Sequence, residues 1–144
     1  MSQFKFIGQK LFVEKIPITN VVKKNLTPFY LYSQEQIKEN YLNFADSFKE
    51  VKPLICFAAK ANTNLSILKI LKKLGSGADV VSGGELLKVI KAGIKPDKIV
   101  FSGVGKNEEE LKLAINKKIL LINIESESEA KLINKIAKKF NKKV

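Results

Sequence analysis

Lys60 is the residue of this sequence whose type and surroundings could do chemistry. It closes the apolar part of the stretch PLICFAAKANTN, residues 53 to 64, and a polar turn follows it at once. Lysine is rarely buried unless something pairs with it or reacts with it. If the run is a strand, side-chain alternation puts Leu54, Cys56, Ala58 and Lys60 on one side and Ile55, Phe57 and Ala59 on the other. The amine would then stand above small Ala58, with room for a flat ligand. Such a lysine suits Schiff-base chemistry, because the amine must be neutral to attack a carbonyl, and desolvation or a nearby cation lowers its pKa from about 10.4. The alternative is that Lys60 has left the strand and points to water.

The elements that would position this lysine follow a repeating cycle. From residue 53 onward, LICFAA leads to NLSILKILKKLG, ADVVS to GELLKVIKAG, KIVFS to NEEELKLAINK, and ILLINI to SESEAKLINKIAKKF. Short apolar and β-branched runs read as strands buried on both faces, and Leu65, Leu68, Ile70 and Leu71 fall near the helical period. Asn64 caps the first of these helices, Asn107 with Glu110 the third, and Ser126 with Glu129 the last, while Gly75 and Gly93 close two of them. Repeated βα units imply parallel strands joined by right-handed crossovers, hence an α/β fold. The stretch GVGKNE from Gly103 fits neither the dinucleotide fingerprint, since Glu108 stands at the third glycine, nor the P-loop. A tight turn into a helix N-terminus is the expected role of Gly103 and Gly105. Upstream, FKFIGQKLFVEKI reads as a small hairpin and TPFYLYS as another strand, and Ser33 with Gln36 as a capping box for a helix to about Lys49.

Composition narrows the class. The chain has 144 residues, 45% hydrophobic and 28% charged, as an ordinary globular domain does. It has no run long enough to span a bilayer and no signal-peptide core, so a cytoplasmic protein without membrane association is expected. The single cysteine, Cys56, cannot form an internal disulfide and is expected as a small core residue. The net charge of +12 raises the possibility of a nucleic-acid partner. Every basic residue is lysine, however, and the lysines are spread over nearly every expected helix, so nucleic acid is not the expected partner. No residues are singled out as metal ligands.

The words FAAKANTN, GADVVSGGELLKVIKAGI, IVFSGVGKNEEEL and INIESESEAKLI follow one another as in diaminopimelate decarboxylases, which the chain resembles. These are pyridoxal-phosphate enzymes with a barrel like that of alanine racemase. The opening FKFIGQKLFVEKIPI with TPFYLY resembles their N-terminal segment. Related ornithine and arginine decarboxylases share the lysine strand but not the SGGEL and INIES wording. The resemblance implies that Lys60 is the catalytic residue, binding pyridoxal 5'-phosphate through its amine, and that Asp79 lies beside it at the cofactor. Physically, a carboxylate at a strand end could orient the ammonium. Glu85 would sit at the start of a helix, where the dipole favours it, and is assigned a mainly structural role.

The fold class expected is α/β, an incomplete (β/α)8 TIM-type barrel of four to five βα units behind an N-terminal β hairpin. Residues 1–25 would form a β segment that joins a C-terminal β domain, and residues 26–144 a partial barrel binding the cofactor. A closed barrel takes eight strands and about 250 residues. The family's later motifs have no counterpart, and the sequence contains no histidine. The expectation is therefore an N-terminal fragment of a decarboxylase that turns meso-diaminopimelate into L-lysine, inactive alone and homodimeric when whole. The alternatives are a non-catalytic pyridoxal-phosphate module and a decarboxylase of another basic amino acid.

Overall fold

A computed structural model describes residues 2–144. It falls into two compact units, one reaching to Phe48 and the other spanning Lys49–Val144.

The first unit holds β1 (Phe4–Ile7), β2 (Lys10–Val13) and β3 (Ile16–Pro17), an antiparallel sheet in that order, followed by α1 (Ile18–Val22) and α2 (Gln34–Ser47). The expected hairpin thus gains a third strand. The strand expected over TPFYLYS does not form: residues 27–33 have no ladder partner among the described residues, and Tyr30 is 91% exposed. A strand exists only where a neighbour takes up its backbone groups. Ser33 serves the helix instead, its hydroxyl accepting from the Gln36 N–H at 3.0 Å. Only half of the expected capping box is made, because Gln36 Oε1 accepts from the Gln3 N–H at 2.9 Å. Glu14 completes the cap from the turn after β2. Its Oε1 accepts from Ser33 Oγ at 2.7 Å and from the Glu35 N–H at 3.1 Å. The helix N-terminal N–H of Glu35, and then the Ser33 hydroxyl, hold the Glu14 carboxyl below its ordinary range.

The second unit alternates strand and helix: β4 (Cys56–Ala58), α3 (Leu65–Lys73), β5 (Gly77–Val80), α4 (Gly83–Lys91), β6 (Ile99–Phe101), α5 (Glu108–Lys117), β7 (Leu121–Ile122) and α6 (Glu127–Lys139). The strands pair in parallel in the order β4-β5-β6-β7, each beside the next in sequence. A doubly wound sheet reverses its order at a switch point, whereas a barrel adds strands in sequence, so these four βα units are consecutive staves of a barrel. Gly75 and Gly93 close α3 and α4 as expected.

Period two divides the sheet into unlike faces. Ala78, Val80, Ile99, Phe101 and Ile122, with Phe57 partly buried, pack against Leu68, Leu86, Val89, Leu111 and Ile136 of the four helices. Each of the larger side chains, from valine up, is worth roughly 1.5 to 3 kcal/mol of burial, so this face carries most of the unit's stability. The opposite face runs through the paired residues Ala58, Asp79, Val100 and Leu121. None of these is fully buried, and Leu121 is 50% exposed. Cys56, expected in the core, stands half-buried on this second face, in register with Gly77.

The carboxyl ends of the strands are tied together by glutamates that start the helices. Ser82 caps α4 through the Glu85 N–H at 3.2 Å, and Glu85 Oε2 accepts from the Val81 N–H at 2.9 Å. Asn107 and Glu110 form a complete capping box on α5, and the other Glu110 oxygen accepts from the N–H of Gly83, the first residue of α4, at 2.8 Å. Ser126 caps α6 through the Glu129 N–H at 3.2 Å, while Glu129 Oε2 accepts from the Glu125 N–H at 2.8 Å. The loop after β6 turns sharply, with Gly103 at φ 103° and Gly105 at φ 77°, a conformation that disfavours any side chain with a Cβ. The turn drives Lys106 inward. The side chain is 1% exposed, and its ammonium donates to Gly103 O at 2.8 Å, Asn123 O at 2.7 Å and Glu129 Oε1 at 3.1 Å and stands 5.9 Å from the centre of the Phe101 ring.

Two outcomes follow from these contacts. Lys106→Met should lower the unfolding free energy in urea by about 3 to 5 kcal/mol, because it strands a nearly buried carboxylate and two carbonyls. Adding Glu129→Gln should then recover part of that loss; strictly additive costs would show that the two side chains are not coupled. In the first unit, Glu14→Gln should cost about 1 kcal/mol near neutral pH, the usual worth of a helix cap. A carboxyl with a lowered folded-state pKa stabilises above its unfolded value and ceases to do so as pH falls through the folded one. The gap between wild type and Glu14→Gln in thermal unfolding should therefore narrow in acid; a gap that widens there would contradict the contact.

Candidate active site

Lys60 does not continue β4. The strand ends at Ala58, and residues Ala59–Ala61 form a single 3-10 turn that packs against β5 and α4. The alternation that placed Lys60 on the side of Leu54, Cys56 and Ala58 therefore stops short of it: the side chain has left the ladder and is exposed. The local reason is legible. Asn62 accepts from the Asn64 N–H at 2.9 Å, Asn64 caps α3 through the Ser66 N–H at 2.8 Å, and the chain must bend to reach that cap. Lys60 makes no hydrogen bond or ion pair among the described residues.

Asp79 stands on β5 in register with Ala58, two residues before the lysine. The two residues expected at the site thus lie at the same end of neighbouring strands, yet no ion pair joins them in this structure. One carboxylate oxygen of Asp79 is engaged elsewhere: Oδ1 accepts from Ser102 Oγ at 2.6 Å, and Ser102 Oγ accepts from Asn123 Nδ2 at 3.0 Å. Burial, and then the charge of Asp79, push the Cys56 thiol above its usual range against a smaller opposing effect of Lys98. A thiol with a raised pKa carries less thiolate and is the weaker nucleophile for it.

The structure separates two unusual lysines by chemistry. The Nζ of Lys106 donates to three fixed acceptors, so its nitrogen is held in place and closed to attack. Lys60 has access and no competing partner, which a nucleophilic amine requires. Around it the face presents Ala58 and then a row of polar side chains, Asp79, Ser102 and Asn123, at the carboxyl ends of successive strands, where barrels carry their sites. Ser102 and Asn123 were not singled out from the sequence. The signal was present, since each breaks an apolar run two residues after Val100 or Leu121 and so shares their face. Glu85 is engaged with Val81 and Ser82. Among the described residues no cluster of side chains suited to a metal ion occurs, and no helix is long and apolar enough to cross a membrane.

An exposed lysine, Lys60, thus follows the strand end at small Ala58, whose partner in register on the neighbouring strand is the anchored Asp79. The chain is 57% identical over 111 residues to diaminopimelate decarboxylase of Helicobacter pylori, covering 77% of this chain and 27% of that protein. A crystal structure of an Aquifex aeolicus protein superposes with a TM-score of 0.94 at 42% identity, over 99% of this chain and 35% of that one. Diaminopimelate decarboxylase of M. jannaschii, solved in co-complex with L-lysine, superposes with a TM-score of 0.93 at 37% identity, over 96% and 33%. The chain thus spans about a third or less of these relatives. The sequence profile of one family covers residues 34–144, and on that match the chain belongs to the pyridoxal-dependent decarboxylases, of which it carries the pyridoxal binding domain.

Proposed function

We propose that this chain is the lysine-bearing part of a diaminopimelate decarboxylase, an enzyme that converts meso-diaminopimelate to L-lysine and carbon dioxide. The observation that carries the proposal is the contrast between the two lysines: Lys60 is exposed and unbonded just after the strand end that pairs with Asp79, while Lys106 is buried and fully bonded. The relatives named for that activity, and the L-lysine bound to one of them, support the substrate.

Lys60 would hold pyridoxal 5'-phosphate through its amine, with Asp79 beside it. The cofactor, when bound, supplies the sink for the electron pair left as carbon dioxide departs, and a proton takes the vacated place on carbon. Asp79 balances the charge of the Lys60 ammonium whenever that amine is free, and small Ala58 leaves the face below open to a flat ring. The groups that would cradle the phosphate and read the far amino-acid end of the substrate belong to the part of the relatives that this chain does not span. Residues 1–25 would join the β domain of a whole, homodimeric enzyme working in the cytoplasm.

A hybrid joining these 144 residues to the remainder of the Aquifex aeolicus relative tests the proposal. The hybrid should release carbon dioxide from meso-diaminopimelate, and Lys60→Ala should reduce that rate roughly a thousandfold or more. A soluble hybrid that keeps its rate with Lys60→Ala would show that another residue does the work.

A further inference from the structure

The row of polar side chains on the open face has an order that the proposed reaction does not by itself require. An ionised carboxylate only accepts hydrogen bonds, so the 2.6 Å contact between Asp79 Oδ1 and Ser102 Oγ makes the serine the donor. The serine oxygen then accepts from the Asn123 amide at 3.0 Å, whose NH2 group can only donate. Three side chains on three successive strands therefore form a directed relay, from Asn123 on the loop after β7, through Ser102 after β6, to Asp79 on β5. Both ends of its frame are secured. The backbone N–H of Ser102 donates to Val80 O, and that of Asn123 to Phe101 O, each at 2.9 Å, so the ladder continues to both residues beyond the strands proper. At the far end the buried Lys106 ammonium grips Asn123 O at 2.7 Å and is itself braced by Gly103 O and Glu129.

We propose that Ser102 and Asn123 are positioning residues which, anchored by the Lys106 ammonium, lock the Asp79 side chain in one rotamer and leave its second oxygen free for the lysine-bearing side of the sheet. The inference deepens the functional reading and rests on it for the identity of the group that Asp79 serves. A carboxylate with a single anchored oxygen keeps its direction without being neutralised. A freely turning one would spread its charge over several staggered wells and present it to Lys60 only part of the time.

The test uses the whole chain, isotope-labelled, and reads the three-bond couplings that define Asp79 χ1. Wild type should show the couplings of one rotamer. Ser102→Ala should lose them to rotamer averaging while the amide resonances of the helix-covered core stay in place, and Ser102→Thr, which keeps the hydroxyl, should restore them. Averaged couplings in the wild type, or a single rotamer retained in Ser102→Ala, would overturn the relay; the wild-type measurement decides even if the alanine variant does not fold. Decarboxylation by the hybrid does not enter these couplings. A locked Asp79 in a chain whose hybrid is inactive would sustain the relay and remove the functional reading, whereas a mobile Asp79 sinks the relay whatever the hybrid does.

Discussion

Everything in the second unit depends on one constraint: helices cover a single face of a parallel sheet whose side chains alternate with period two. The covered face takes Ala78, Val80, Ile99, Phe101 and Ile122 and supplies the apolar burial that holds the unit together. What remains for the other face is whatever the covered one does not need. Ala58, Asp79, Val100 and Leu121 therefore line up across four strands, and the polar members gather where the strands end. Chemistry and stability are thus separated by parity of residue number, and a one-residue slip of β5 would exchange Asp79 for a core alanine or valine.

The carboxyl rim is held more firmly than loops usually are. Glutamates at the starts of α4, α5 and α6 reach back to backbone N–H groups, and those of α5 and α6 also engage the preceding βα unit, through Gly83 at the start of α4 or through Lys106 in the loop after β6. A helix cap and a loop tether are made by the same side chain. This places Gly103, Lys106 and Asn123 in one bonded frame and makes the ends of β6 and β7 a rigid support. Lys60 takes no part in that frame, and its side chain is exposed and unbonded. Leaving it free costs little stability, because an exposed ammonium stays solvated.

Much of the fold could be read from the chain, and the reasons are local. Apolar runs of five or six residues, capping residues such as Asn64 and Ser126, and closing Gly75 and Gly93 are short-range signals. The failure of the dinucleotide fingerprint at Glu108 pointed away from a doubly wound sheet. What the chain hid was set by distant contacts or by bends. Whether Lys60 ends the strand or leaves it for water was open in the chain, and the 3-10 turn over Ala59–Ala61 decides for the second, a bend that Ala59 and Ala61 do not announce. TPFYLYS has strand-like composition but no neighbour to pair with. Lys106 was weighed only as a P-loop lysine, and nothing nearby in sequence shows that its carboxylate is Glu129, on a helix after the next strand. The line from Asn123 to Asp79 needed the register of three strands before it could be seen.

The central claim is that the amine of Lys60, among all the lysines of this chain, is the one that takes the cofactor. Borohydride reduction of the hybrid holding pyridoxal phosphate, followed by peptide mapping, tests it most directly. The account predicts a stable adduct on Lys60 and none on Lys106. Label on Lys106, or on no lysine of these 144 residues, would contradict it.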